Sequence, residues 1–155
     1  MDDKVQQRTI SRLISIKREE LDRYRQDLQR LEHMVLMGRR ELELARQSEQ
    51  SFLEDIRQSE SVHGTLSVQD MLERRRYLAF LREKTVAQSE MLAQVEEQQR
   101  QAQGCVDTAF AEMKSLERVA ERLVDRLHRE TQRKSYVQAD DQEVVRSLYQ
   151  EAING

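Results

Sequence analysis

Apolar residues return along the first third of the chain at alternating steps of three and four. Positions 10, 14, 17, 21, 24, 28, 31, 35, 38, 42, 45, 49, 52 and 56 hold Ile10, Ile14, Lys17, Leu21, Tyr24, Leu28, Leu31, Val35, Gly38, Leu42, Ala45, Glu49, Phe52 and Ile56, and eleven of these fourteen are apolar. A seven-residue repeat held this long specifies a narrow seam between supercoiled helices, whereas a helix buried in a globule shows a broader stripe. The pattern predicts a helix over about 5–60 that forms one half of a coiled coil.

The run Ser59-Glu60-Ser61-Val62-His63-Gly64-Thr65-Leu66 breaks the repeat with small and β-branched residues around a glycine, which predicts a turn over about 61–66. Ser67, with Asp70 three residues later and Met71-Leu72 behind it, reads as an N-cap followed by an acidic first turn. A second seam, stepped the same way from Met71, runs through Leu78, Leu81, Leu92, Val95, Ala102, Val106, Ala109, Met113, Leu116, Ala120, Leu123 and Leu127, with polar intrusions at Arg74, Thr85, Gln88 and Gln99. Polar seam positions lower stability and fix register. The second helix is therefore expected over about 67–135 or longer, with a fray or bend at Ala139-Asp140-Asp141 before Val144-Val145.

A short turn makes consecutive helices antiparallel neighbours, so residue i is expected near residue 127 − i, to within about one turn. Ile14 then faces Met113, and everything after about Leu127 overhangs its partner as far as Gly155. The first helix should span about 75 Å and the second, if unbroken to Tyr149, about 120 Å. The fold class is all-α: a single two-helix antiparallel coiled-coil hairpin covering residues 1–155. Because the seam is complete within one chain, a monomer is expected, with a compact four-helix dimer as the alternative.

Composition agrees with this pattern. Of 155 residues, 37% are hydrophobic, 5% aromatic and 35% charged, with no proline and only four glycines, which excludes a thick globular core and starves strand folds of turn formers. The 26 basic and 29 acidic residues nearly cancel, so no overall field favours nucleic acid or an anionic bilayer. No window approaches a membrane span and no leader-like apolar run opens the chain, which places it in the cytoplasm without direct membrane insertion.

Candidate chemistry is sparse. A two-stranded coil offers no concave site that excludes water, so no enzyme activity, cofactor or catalytic group is expected. Glu60-x-x-His63 and Asp125-x-x-His128 have the spacing of half a di-iron motif, but in so acidic a chain they read as surface coincidence, and no metal site is expected. Cys105 excludes an intramolecular disulfide by standing alone, and beside Val106 it reads as a partly buried, inert thiol rather than a redox sensor.

Two patches suggest partners. Arg118, Arg122, Arg126, Arg129 and Arg133 fall along one strip of the second helix, with Glu117, Glu121, Asp125 and Glu130 interleaved and Arg8, Arg12 and Arg18 on the adjacent end of the first helix. This is either a solvated face with local ion pairs or a docking strip for an acidic protein surface. Nucleic acid is disfavoured, because the acids would repel phosphate and no aromatic row offers stacking. Near the turn, Tyr77 and Phe80 lie off the seam residues Leu78 and Leu81 beside Arg74-Arg75-Arg76. They form an exposed interface anchor or pack across the turn onto Phe52, Leu53 and Ile56.

Lys114-Ser115-Leu116-Glu117-Arg118-Val119-Ala120-Glu121-Arg122, then Glu130, then Asp140-Asp141-Gln142-Glu143 and Arg146, resembles the K-x-L-E-x-x-x-E-R, E and D-E-x-x-x-R trend of the FliJ/YscO proteins. Tyr77-Leu78-x-x-Leu81 with Gln88 and Leu92 is similar to that family's start of the second helix, and the likeness in length, turn and helix order covers essentially the whole chain. The resemblance implies a central stalk of a type III secretion system, like the coiled coil of the rotary ATPase gamma subunit, with the injectisome, YscO-like member favoured. It further implies partners: the hexameric secretion ATPase, whose assembly and activity the stalk promotes, the export gate protein, and secretion chaperones, at the cytoplasmic face of the apparatus. On this view Arg118, Arg122, Arg126, Arg129 and Arg133 mark the ATPase end, and Tyr77, Phe80 and Leu81 the gate end. The competing reading is a structural coiled-coil adaptor or tether unrelated to secretion.

Overall fold

A computed structural model describes residues 2–62 and 67–154, apart from the side chains of Ser61 and Val62. Two helices, α1 (Asp3–Val62) and α2 (Val68–Asn154), take up all of these residues except Asp2 and Ser67, and no strand occurs among them. The expected turn residues His63 to Leu66, and with them Gly64, lie outside the described residues.

Both helices begin on side chains that satisfy their first amides. Asp2 Oδ1 accepts from Lys4 N at 3.3 Å, with Asp3 in the first turn of α1. Ser67 Oγ accepts from Asp70 N at 3.1 Å, and Asp70 lies in the first turn of α2, where its charge opposes the helix dipole favourably. The cap predicted at Ser67 is therefore present. The bend expected at Ala139-Asp140-Asp141 is not: α2 continues through those residues to Asn154. Two adjacent aspartates lack the proline or glycine that would break the backbone ladder.

Packing falls into two units, residues 22–107 and the combination of 1–21 with 108–155. In the 22–107 unit the buried positions are Leu28, Leu31, Val35, Leu42 and Ala45 of α1 with Leu78, Leu81 and Val106 of α2. Cross-helix contacts there include Arg82–Glu49 and Arg39–Glu96 ion pairs at 3.4 and 3.7 Å, and the close approach of Gly38 to Leu92. In the other unit Leu21, Ala109, Met113 and Leu123 form the core. There Lys17 bridges to Glu112 at 2.5 Å and to Glu20 at 3.1 Å, while Arg18 reaches Glu117 at 3.5 Å.

Within each unit the contacts run antiparallel, and at Gly38 and Lys17 the register falls within one turn of the 127 − i estimate, two or three residues later. Gly38 meets Leu92 and Lys17 meets Glu112, where the estimate gives 89 and 110. The cause is the extent of α1, which runs to Val62, so that the midpoint between the helices lies at residue 65 rather than one or two residues earlier.

Candidate docking surfaces

The arginine strip lies in the unit formed by 1–21 and 108–155. At about 100° per residue, Arg118, Arg122, Arg126, Arg129 and Arg133 occupy an arc of about 80° on α2, and all five are exposed. None of them enters an ion pair among the described residues, so the local pairing expected from the interleaved acids does not form here. Glu117 instead binds Lys114 at 3.1 Å and Arg18. The hydrogen bond from Lys114, followed by that from Arg18, holds the Glu117 carboxyl below the ordinary glutamate value. Lys17 is raised in turn, first by its hydrogen bond to Glu112 and then by Glu20. Glu112 and Glu117 are held by these cations, whereas the five arginines make no ion pair among the described residues and share the surface with exposed Glu121, Asp125 and Glu130.

Beyond Leu127 every described residue of α2 is exposed, which matches the expected overhang. The stretch still carries Tyr136, Val137, Val144, Val145, Leu148, Tyr149 and Ile153, each more than half exposed. Continuing the three-and-four stepping past Leu127 lands on Val137, Val144 and Leu148, so the seam goes on weakly with no helix opposite it.

In the 22–107 unit the aromatics pack partly across the helix pair, onto Phe52, and stay partly exposed. Tyr77 packs edge-on against Phe52, with ring centroids 4.8 Å apart, and stacks with Phe80 at 6.2 Å. Tyr77 is nevertheless 50% and Phe80 57% exposed. Leu81, grouped with them as a docking residue, is a core residue at 7% exposure and cannot meet a partner while the helices stay paired. Its place on the seam, already legible in the sequence, decides this.

Three further exposed apolar residues of this unit are missed by a sequence reading that follows the seam and not its flanks. Met34, Met37 and Met91 line a groove beside Gly38 and Leu92. The same stepping that locates the seam puts Met34 and Met91 on its immediate flank, as it does Tyr77. Cys105 occupies that flank too. It is exposed, contrary to the expectation of a partly buried thiol, because a residue adjacent to a seam position in sequence points about 100° away from it.

Of the two half-motifs for metal, His63 lies outside the described residues, and His128 sits 3.2 Å from the Gln132 amide nitrogen. Among the described residues no cluster of three His, Cys, Asp or Glu side chains could hold a metal ion, and no helix is long and apolar enough to cross a membrane. Compared with protein-family models, curated proteins and solved structures, the chain matches none.

Proposed function

We propose that the chain is a non-enzymatic central stalk of a type III secretion system of the FliJ/YscO kind, the injectisome member in particular. The observation that carries this reading is the end of α2, where a strip of exposed, unpaired arginines leads into a fully exposed helical segment that retains its seam residues. Such a segment combines long-range attraction for an acidic surface with apolar contact area once docked. On this reading the surface it meets is the interior of the hexameric ATPase ring. A single asymmetric coil in that ring contacts its six subunits unequally, which makes the nucleotide sites inequivalent and promotes turnover without a catalytic group from this chain. The Tyr77 and Phe80 surface is then the contact for the export gate, and chaperones are further partners.

The test is turnover of a purified type III secretion ATPase from the same organism with and without the chain. Arg122→Glu with Arg129→Glu should lower stimulation and leave residual binding less sensitive to salt. A chain ending at Lys134 should stimulate less through lost apolar contact. If both variants stimulate as well as the intact chain, the end of α2 is not the docking element, and the adaptor reading takes its place.

A further inference from the structure

The two flanks of the seam in the 22–107 unit differ in kind. On one flank Arg39 pairs with Glu96 and Arg82 with Glu49, closing the helix pair with charge. The other flank bears no ion pair between the helices among the described residues, and carries Tyr77, Phe80 and Leu44 at one end with Met34, Met37 and Met91 at the other. The grooves at the two ends, of about 440 and 220 Å³, meet at Glu41 and Gln88, which line both.

We infer that this face is the site at which a second copy of the chain binds, face to face about a two-fold axis that crosses the face midway between Lys84 and Glu41. Three features of the face select a copy of itself. The first is area. The six apolar side chains, each 39–58% exposed, present roughly 600 Å² per copy, so a pair can bury at most roughly 1,200 Å² from them, the lower edge of the range for specific interfaces.

The second is the order of residues along the face. A two-fold axis through its middle lays the methionine end of one copy on the Tyr77, Phe80 and Leu44 end of the other, twice over. Methionine sulfur against an aromatic ring is a favourable contact, and unbranched methionine adapts to an irregular ring surface. The third is charge. Lys84 and Glu41 line the groove at the aromatic end yet do not pair within the chain. The same rotation brings Lys84 of one copy to Glu41 of the other.

The seam stays within each chain, so the expectation of a monomer drawn from a complete seam concerns a different surface. Pairing of copies does not rest on the stalk reading, since every residue it uses lies outside the arginine strip and the overhang. Because the face includes Tyr77 and Phe80, a paired chain and a chain docked elsewhere through those residues exclude one another.

Sedimentation equilibrium of the full chain over roughly 1 to 500 µM tests the pairing. A concentration-dependent monomer–dimer equilibrium is expected. Phe80→Glu and Met91→Glu should each weaken it at least about tenfold, with helicity by circular dichroism unchanged, while Val86→Glu on the opposite flank should leave it intact. Glu41→Lys should weaken pairing, and adding Lys84→Glu should restore it. A chain that sediments as a monomer throughout overturns the inference. So does a dimer that tolerates both Phe80→Glu and Met91→Glu, or one that is lost only when the residues after Lys134 are removed.

Discussion

Single residues in this chain act through three quantities: helix propensity, seam packing and local charge. Gly104 sits mid-helix with nothing from the partner helix within 4 Å of the place a Cβ would take, so Gly104→Ala should raise stability by about 0.5–1 kcal/mol through backbone entropy alone, read from urea denaturation. At Gly38 an added Cβ would meet Leu92 Cδ1 at 3.2 Å, and that methyl borders an open groove into which it can shift. Gly38→Ala should therefore stabilise by less than Gly104→Ala, and Gly38→Leu should destabilise by about 1–3 kcal/mol through overpacking. Glu117 supplies a pH signature. Its folded value is depressed by Lys114 and then Arg18, so its contribution is present above the ordinary glutamate value of 4.5 and is lost as pH falls through the depressed folded value. Thermal melts of the parent and of Glu117→Gln should converge below that range and separate above it. Lys17 has the opposite sign, its contribution being lost only as pH rises above 10.5 through its raised value.

At the scale of the element, what the residue pattern says about packing is nearly complete. Each of the fourteen positions stepped from Ile10 to Ile56 is buried or half-buried, including Lys17, Gly38 and Glu49, and so are the polar positions Arg74, Thr85, Gln88 and Gln99 of α2. A seven-residue repeat imposes one side of the helix on the partner whatever the residue, which is why the spacing locates even its polar members. The unbroken path through Asp140-Asp141 is not legible in the same way, because low propensity alone does not stop a helix that meets no breaker. Nor is the state of Tyr77, since edge packing on Phe52 and half-exposure depend on ring geometry that spacing does not carry. Energetically the seam should dominate. Leu21 and Leu123, each 2% exposed, should cost about 2–5 kcal/mol on substitution by alanine, whereas Tyr136→Ala in the overhang should stay within about 0.5 kcal/mol. Ending the chain at Lys134 removes no buried side chain, so its urea midpoint should match the parent's while the helical signal falls by the residues removed.

For the molecule as a whole, the residues that hold the fold and those offered to partners occupy separate places. The seam is satisfied inside the chain. The arginine strip and the exposed end of α2 lie in one unit, and the aromatic and methionine face lies in the other. That division allows each surface to be altered while the helices stay paired, and it is why function is less legible than fold: a repeat dictates which side chains are inward, and leaves open what meets the outward ones. If one chain serves a ring of six ATPase subunits as its stalk, the stoichiometry of the complex is fixed, and native mass spectrometry of the purified secretion ATPase mixed with this chain reads it. Six ATPase subunits with one copy of the chain are expected, in an assembly lost when Arg122 and Arg129 are both changed to glutamate. No assembly, or one with a copy for every ATPase subunit, would rule out the stalk.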